Sequence, residues 1–149
     1  MPRRELKHPH QVEHWLQDFG LQIRESAELI LIGSGGLLWH AFQRGVTEPL
    51  SENSMDVDPV TGSEEVARLC YQAIIGSAFE AAHGWHINLM PDFVLRELPE
   101  GWTERASMKN YGALRVMVPA PGDLLAPKLK RNEPRDQLHA QWARNVGLL

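Results

Sequence analysis

Asp56 and Asp58 are the residues of this chain whose types and spacing are best suited to chemistry. They alternate within residues 54–60, a stretch that reads as a strand, and successive strand side chains point to opposite faces. The two carboxylates then share one face, side by side, and such a pair favours a divalent cation. A hard cation such as Mg²⁺ takes oxygen ligands and commonly joins one or two carboxylates to substrate phosphates. Upstream, the apolar run Leu29, Ile30, Leu31, Ile32 ends in Gly33-Ser34-Gly35-Gly36. Glycines let backbone N–H groups and the Ser34 hydroxyl come close to a phosphate, and a helix start adds a favourable dipole. The turn lacks the Lys-Ser/Thr ending of a P-loop. Together the two elements describe a site for a metal-bound nucleotide.

The elements that must position these groups follow an alternating α/β order. Val12, Trp15, Leu16 and Phe19 recur at helical spacing and predict a helix over 10–19 that Gly20 stops. Residues 28–32 read as a buried strand, 37–44 as a short helix leaving the glycine turn, and 45–53 as a polar loop with Pro49. After the acid-bearing strand, Ser63 caps a long helix. Glu64 and Glu65 occupy its first turn, Val66, Leu69, Cys70, Ala73, Ile74 and Ala78 form its apolar face, and His83-Gly84 ends it.

Further on, Pro91 and Pro99 interrupt 85–90 and 93–98, which read as short strands or loops. Leu114, Val116 and Val118 alternate with Ala113, Arg115 and Met117, predicting a half-buried strand closed by Pro119 and Pro121. Asp123 is placed to N-cap a helix carrying Leu124, Leu125, Lys128 and Leu129, and 135–146 reads as the last helix.

Composition sets wider limits. A chain of 149 residues with 43% hydrophobic content can build one compact domain with a real core, and 1–149 is expected to be one domain, with 1–26 a helical extension. The net charge of −4 supplies no general attraction to nucleic acid, although a local basic patch is compatible with it. The one cysteine, Cys70, lies among apolar neighbours and reads as a core residue. No apolar run approaches the ~20 residues that span a bilayer, and Met-Pro-Arg-Arg-Glu lacks an apolar signal core. A soluble, cytoplasmic protein is expected. The seven histidines show no pair with the spacing and partners of a zinc site, and the five tryptophans read as packing residues.

The order strand, Gly-Ser turn, helix, acid-bearing strand resembles the nucleotidyltransferase superfamily typified by DNA polymerase β. The second half sharpens the likeness. Leu98-Pro99-Glu100-Gly101-Trp102, then residues 112–118, then Pro121-Gly122-Asp123-Leu124-Leu125-Ala126-Pro127-Lys128-Leu129 and Arg135-Asp136 resemble a group of small prokaryotic nucleotidyltransferase-like proteins of unassigned function. Relatives of that group include toxin halves of abortive-infection toxin–antitoxin pairs. The resemblance covers roughly residues 28–145 and implies an α/β (α+β) fold, a mixed β-sheet with helices packed on it.

For the site, the resemblance implies that Gly33, Ser34, Gly35 and Gly36 bind phosphate, that Asp56 and Asp58 bind Mg²⁺ or Mn²⁺, and that Lys128 meets the phosphates of an NTP. Active relatives carry a third carboxylate on a later strand, which helps hold metal and deprotonates the attacking hydroxyl. Here that strand offers Arg115 and Met117; Asp92, Glu97, Asp123 and Asp136 are the other acids to consider, and Asp136 reads as the partner of a nearby arginine. Where the group tends to end Arg-Asp-x-x-Asp, this chain has Arg135-Asp136-Gln137-Leu138-His139. The expected function is nucleotidyl transfer from an NTP to a hydroxyl of RNA, such as tRNA, or of a protein. The alternatives are a catalytically degraded nucleotide- or partner-binding protein, such as a toxin–antitoxin component with a cognate antitoxin, and a scaffold with no retained site.

Overall fold

The computed structural model describes residues 6–50, 54 and 56–149; Met1–Glu5, Ser51–Asn53 and Met55 lie outside the described residues. The chain runs α1 (Pro9–Gly20), β1 (Ala27–Ile32), α2 (Gly33–Gln43), β2 (Asp56–Val60), α3 (Glu64–Tyr71), α4 (Ala78–His83) and β3 (His86–Ile87). A 3₁₀ turn (Asp92–Glu97) follows, then α5 (Trp102–Arg105), β4 (Ser107–Tyr111), β5 (Leu114–Val118), α6 (Pro121–Arg131) and α7 (Pro134–Asn145). This is the mixed α+β architecture read from the sequence.

The five strands pair in the order β3-β2-β1-β5-β4. β1 runs antiparallel to β2 and parallel to β5, β2 runs parallel to β3, and β4 runs antiparallel to β5. Alternation decides which face is buried. Leu29 and Leu31 of β1, Val57 of β2, and Leu114, Val116 and Val118 of β5 are sealed from solvent. They pack in one cluster with Leu37 and Leu38 of α2, Leu124 and Leu125 of α6, and Val12 and Leu16 of α1. α1 is further tied to β4 by its buried Glu13, whose carboxylate accepts hydrogen bonds from the Tyr111 hydroxyl at 2.7 Å and from Lys109 Nζ at 2.8 Å. Among the described residues, no helix is long and apolar enough to cross a membrane.

Three sequence readings change. The long helix after Ser63 is two helices. Ser63 does cap α3, accepting from Val66 N, but Gly76 sits at φ +85° and Ser77 starts α4 with its own cap. α3 ends at Tyr71, where the N–H groups of Gln72 and Ala73 donate to the Leu69 and Cys70 carbonyls in a tighter turn; Ile74 and Ile75 lie in the connection before α4 and are 38% and 70% exposed. Asp123 does not cap α6; Ala120 holds the N-cap position, and Asp123 lies in the first turn, held by Arg105 Nε at 2.8 Å and Nη2 at 2.9 Å. β4 went unread because Ser107, Met108 and Asn110 are exposed on an edge strand and show no apolar alternation.

Candidate functional site

The β1–α2–β2 connection builds the centre of the site. Antiparallel pairing sets Ile32 opposite Asp58, so the next residue, Gly33, arrives beside that carboxylate. Gly33 has φ +72°, and a β-carbon added to it would lie 2.7 Å from Asp58 Oδ2. Both the backbone angle and the space demand glycine. α2 begins at Gly33 itself, rather than at residue 37, so the glycines form its first turn. Ile32, its N-cap, has no polar side chain to occupy the first N–H groups of the helix.

The other three residues of that turn face inward. Ser34 is buried and donates its hydroxyl to Ser54 Oγ at 2.8 Å. Gly35 lies against Val57, and a β-carbon on Gly36 would come within 2.8 Å of Leu124 Cδ1 and 3.1 Å of the Leu31 carbonyl. Gly35 and Gly36 thus let α2 settle onto β2 and α6, while Gly33 borders open space.

Asp56 and Asp58 share one face of β2, and β2 is an interior strand flanked by β1 and β3. β3 aligns His86 with Asp56, and its continuation brings Asn88 to Asp58, where Nδ2 donates to Oδ1 at 3.3 Å. His86 Nε2 stands 4.0 Å from Asp56 Oδ2, and its Nδ1 stands 2.8 Å from Glu80 Oε2 of α4. Burial, reinforced by the neighbouring charge of Asp56, pushes Asp58 up to about 7, and the opposing pull of Asn88, Lys128 and Arg131 does not cancel it.

This arrangement fits a hard divalent cation. The available donors are carboxylate oxygens, Asn88 Nδ2 is turned to Asp58, and the repulsion within the acid pair is what a cation would relieve. Among the described residues no cluster of three or more His, Cys, Asp or Glu could hold a metal by itself. Such a cation would need ligands from a substrate, as phosphates supply.

α6 closes the opposite side. A cleft of about 740 Å³ is bordered by Gly33, Asp58, Glu97, Leu124, Lys128 and Arg131. Lys128 is 11% exposed; its Nζ lies 3.8 Å from Asp136 Oδ1 and 3.5 Å from His139 Nδ1. Asp136 is fully buried and receives a two-pronged contact from Arg131, at 2.9 Å from Nε and 2.7 Å from Nη2. The Arg131 guanidinium holds the Asp136 carboxyl below its ordinary value. Burial lowers the Lys128 amine even though Asp136 and Asp58 pull the other way. Of the acids considered as a third carboxylate, Asp123 and Asp136 are committed to arginines, Asp92 borders a different crevice with Glu28 and Tyr71, and Glu97 borders this cleft.

A family model described as nucleotidyltransferase of unknown function (DUF6036) matches residues 15–148. The chain belongs to this family. No curated protein and no solved structure matches it. Membership in DUF6036 gives the chain a nucleotidyltransferase-like function and, with it, a nucleotide as substrate class; such enzymes generally use an NTP with a divalent metal. In this DUF6036 member, sequence reasoning missed His86 and Asn88. Their signal was the alternation Trp85-His86-Ile87-Asn88, whose buried members Trp85 and Ile87 leave the two polar residues on the face of the acid pair.

Proposed function

We propose that the chain binds a nucleoside triphosphate together with Mg²⁺ or Mn²⁺ in the cleft between β2, the start of α2 and α6, and transfers the nucleotidyl group to a hydroxyl of RNA or protein. The observation that supports this most is convergence: Gly33, Asp58 and Lys128, from three separate elements, border one cleft. Asp56 and Asp58 would hold the cation, which when bound draws charge from the phosphate oxygens. The N–H groups at the start of α2, beside Gly33, would receive a phosphate with the helix dipole behind them. Attack of the acceptor oxygen on the α-phosphorus expels pyrophosphate, and Lys128 with Arg131 would neutralise the charge that develops.

The acceptor hydroxyl must give up its proton, and here one observation favours a second reading. β5, the later strand, offers Arg115 and Met117 in place of the third carboxylate that active relatives carry. A chain that holds the nucleotide, or a partner such as a cognate antitoxin, without turnover fits that substitution. Incubation with each NTP labelled at the α or, in parallel, at the γ position, with Mg²⁺ and either total tRNA or cell lysate, separates the two. Label on a macromolecule from the α but not the γ position is expected for transfer; nucleotide binding with no labelled acceptor moves the account to the second reading. Neither binding nor labelling contradicts both.

A further inference from the structure

A second cavity shares no lining residue with the cleft. It measures about 590 Å³ and lies between α1, the end of α3 and α4, within the size range of small-molecule pockets. Its walls are aromatic. Trp15, Phe19 and Trp85, at 7%, 4% and 3% exposed, form its buried floor, and Phe79 and His83 of α4 are the more exposed rings. These two stack with ring centroids 4.0 Å apart and an interplanar angle of 19°. Trp85 meets Phe79 and Trp15 edge-on, at 5.1 Å and 6.3 Å. Polar groups stand among the rings: the Asp18 carboxylate, the imidazoles of His10 and His14 and the amides of Gln22 and Gln72, with no lysine or arginine among the described lining residues.

The cavity is open to solvent, with His10, His14, Asp18, Gln22 and Gln72 exposed at its rim, and its volume admits a planar heterocycle. The lining chemistry narrows what fills it. Ring faces stack on planar π systems and tolerate any base. A carboxylate accepts ring and amino N–H groups, and a glutamine amide both donates and accepts. With no lysine or arginine at hand, a phosphate is better left in water. We propose that this cavity binds an uncharged nucleobase, with any attached phosphate left outside. The base comes either from a free nucleoside or from an unpaired position in an RNA strand. α4 sets such a base close to the acid pair, because Phe79 and His83 face the cavity while Glu80 of the same helix reaches His86 beside Asp56.

The test uses ligands without phosphate and reads the indoles of Trp15 and Trp85, neither of which lines the triphosphate cleft. Guanosine, adenosine, cytidine and uridine are titrated into the intact protein while the indole N–H resonances are followed by NMR. Saturable shifts at Trp15 and Trp85, with Trp142 unmoved, are expected. Phe79→Ala should weaken the affinity by about tenfold through loss of one stacking face, and Phe79→Tyr should restore it. If Phe79→Ala does not fold, His83→Ala at the partly exposed member of the stacked pair serves the same purpose. A short single-stranded oligonucleotide that moves the same resonances at far lower concentration than its nucleoside assigns the base to RNA; equal or tighter nucleoside binding assigns it to a free metabolite. Absence of saturable shifts at millimolar nucleoside, or shifts unaffected by the variants, would overturn the proposal.

Discussion

A side chain on Gly33 would collide with Asp58, because the space where its β-carbon would go lies 2.7 Å from Asp58 Oδ2. Gly33→Ala should therefore disturb both the candidate site and the fold. The left-handed backbone and the contact together are expected to cost about 1–3 kcal/mol of stability. The same variant should weaken ATP or GTP binding by about tenfold, or about 1.4 kcal/mol, since Asp58 must shift. Thermal unfolding and calorimetric titration of the one variant measure both. Binding unchanged in a folded Gly33→Ala protein would remove the start of α2 from the nucleotide site.

Lys128 provides a test of the opposite wall. Its ammonium stands between Asp136 and His139 on the border of the cleft. Lys128→Ala is expected to weaken triphosphate binding by roughly 1.5–3 kcal/mol, the range for hydrogen bonds to charged groups. Stability should fall little, because Arg131 continues to pair with Asp136. Titration with ATP and with adenosine distinguishes a phosphate contact from a general defect: only the triphosphate should lose affinity in the cleft.

Much of this was legible in advance, for identifiable reasons. β1, β2 and β5 declare themselves by strong apolar patterns that end at Gly33, Pro119 or an acid pair, and α1, α6 and α7 carry helical spacing or good boundaries. Asp56 and Asp58 stand out because period two puts them on one face. The roles of Ser34, Gly35 and Gly36 were not legible, since a glycine that packs a helix and a glycine that receives an anion look alike as letters. Gly36 packs on Leu124, a contact distant in sequence. His86 and Asn88 escaped notice because β3 is only two residues long and its register with β2 is a tertiary fact. The helix after Ser63 ends at Tyr71, just before Ala73, Ile74 and Ile75, which still read as apolar helix.

Stability should respond to pH through Glu13. Burial raises its pKa, but hydrogen bonds from Lys109, Tyr111 and Gln43 outweigh that and hold it below its ordinary value of 4.5. A group depressed in the fold contributes stability above its unfolded pKa and loses it as pH falls through the folded value. Glu13→Gln should lower the melting temperature at pH 7, by the equivalent of about 1–3 kcal/mol for the lost charged hydrogen bonds. The gap between wild type and variant should then narrow as pH drops below 4.5. Melting curves of both proteins from pH 7 to acid test this, and a gap that widens on acidification would contradict the sign.

The central claim is that Asp56 and Asp58 hold a divalent cation against a bound nucleotide, and one calorimetric experiment addresses it directly. ATP and GTP are titrated into wild type and into the Asp56→Asn, Asp58→Asn double variant, with and without Mg²⁺ or Mn²⁺. Wild type should bind more tightly when the metal is present. The double variant should keep its fold, since the pair is partly exposed and asparagine preserves its shape, and should bind equally with and without metal. A metal-dependent gain that persists undiminished in the double variant would contradict the account and take the acid pair out of the site.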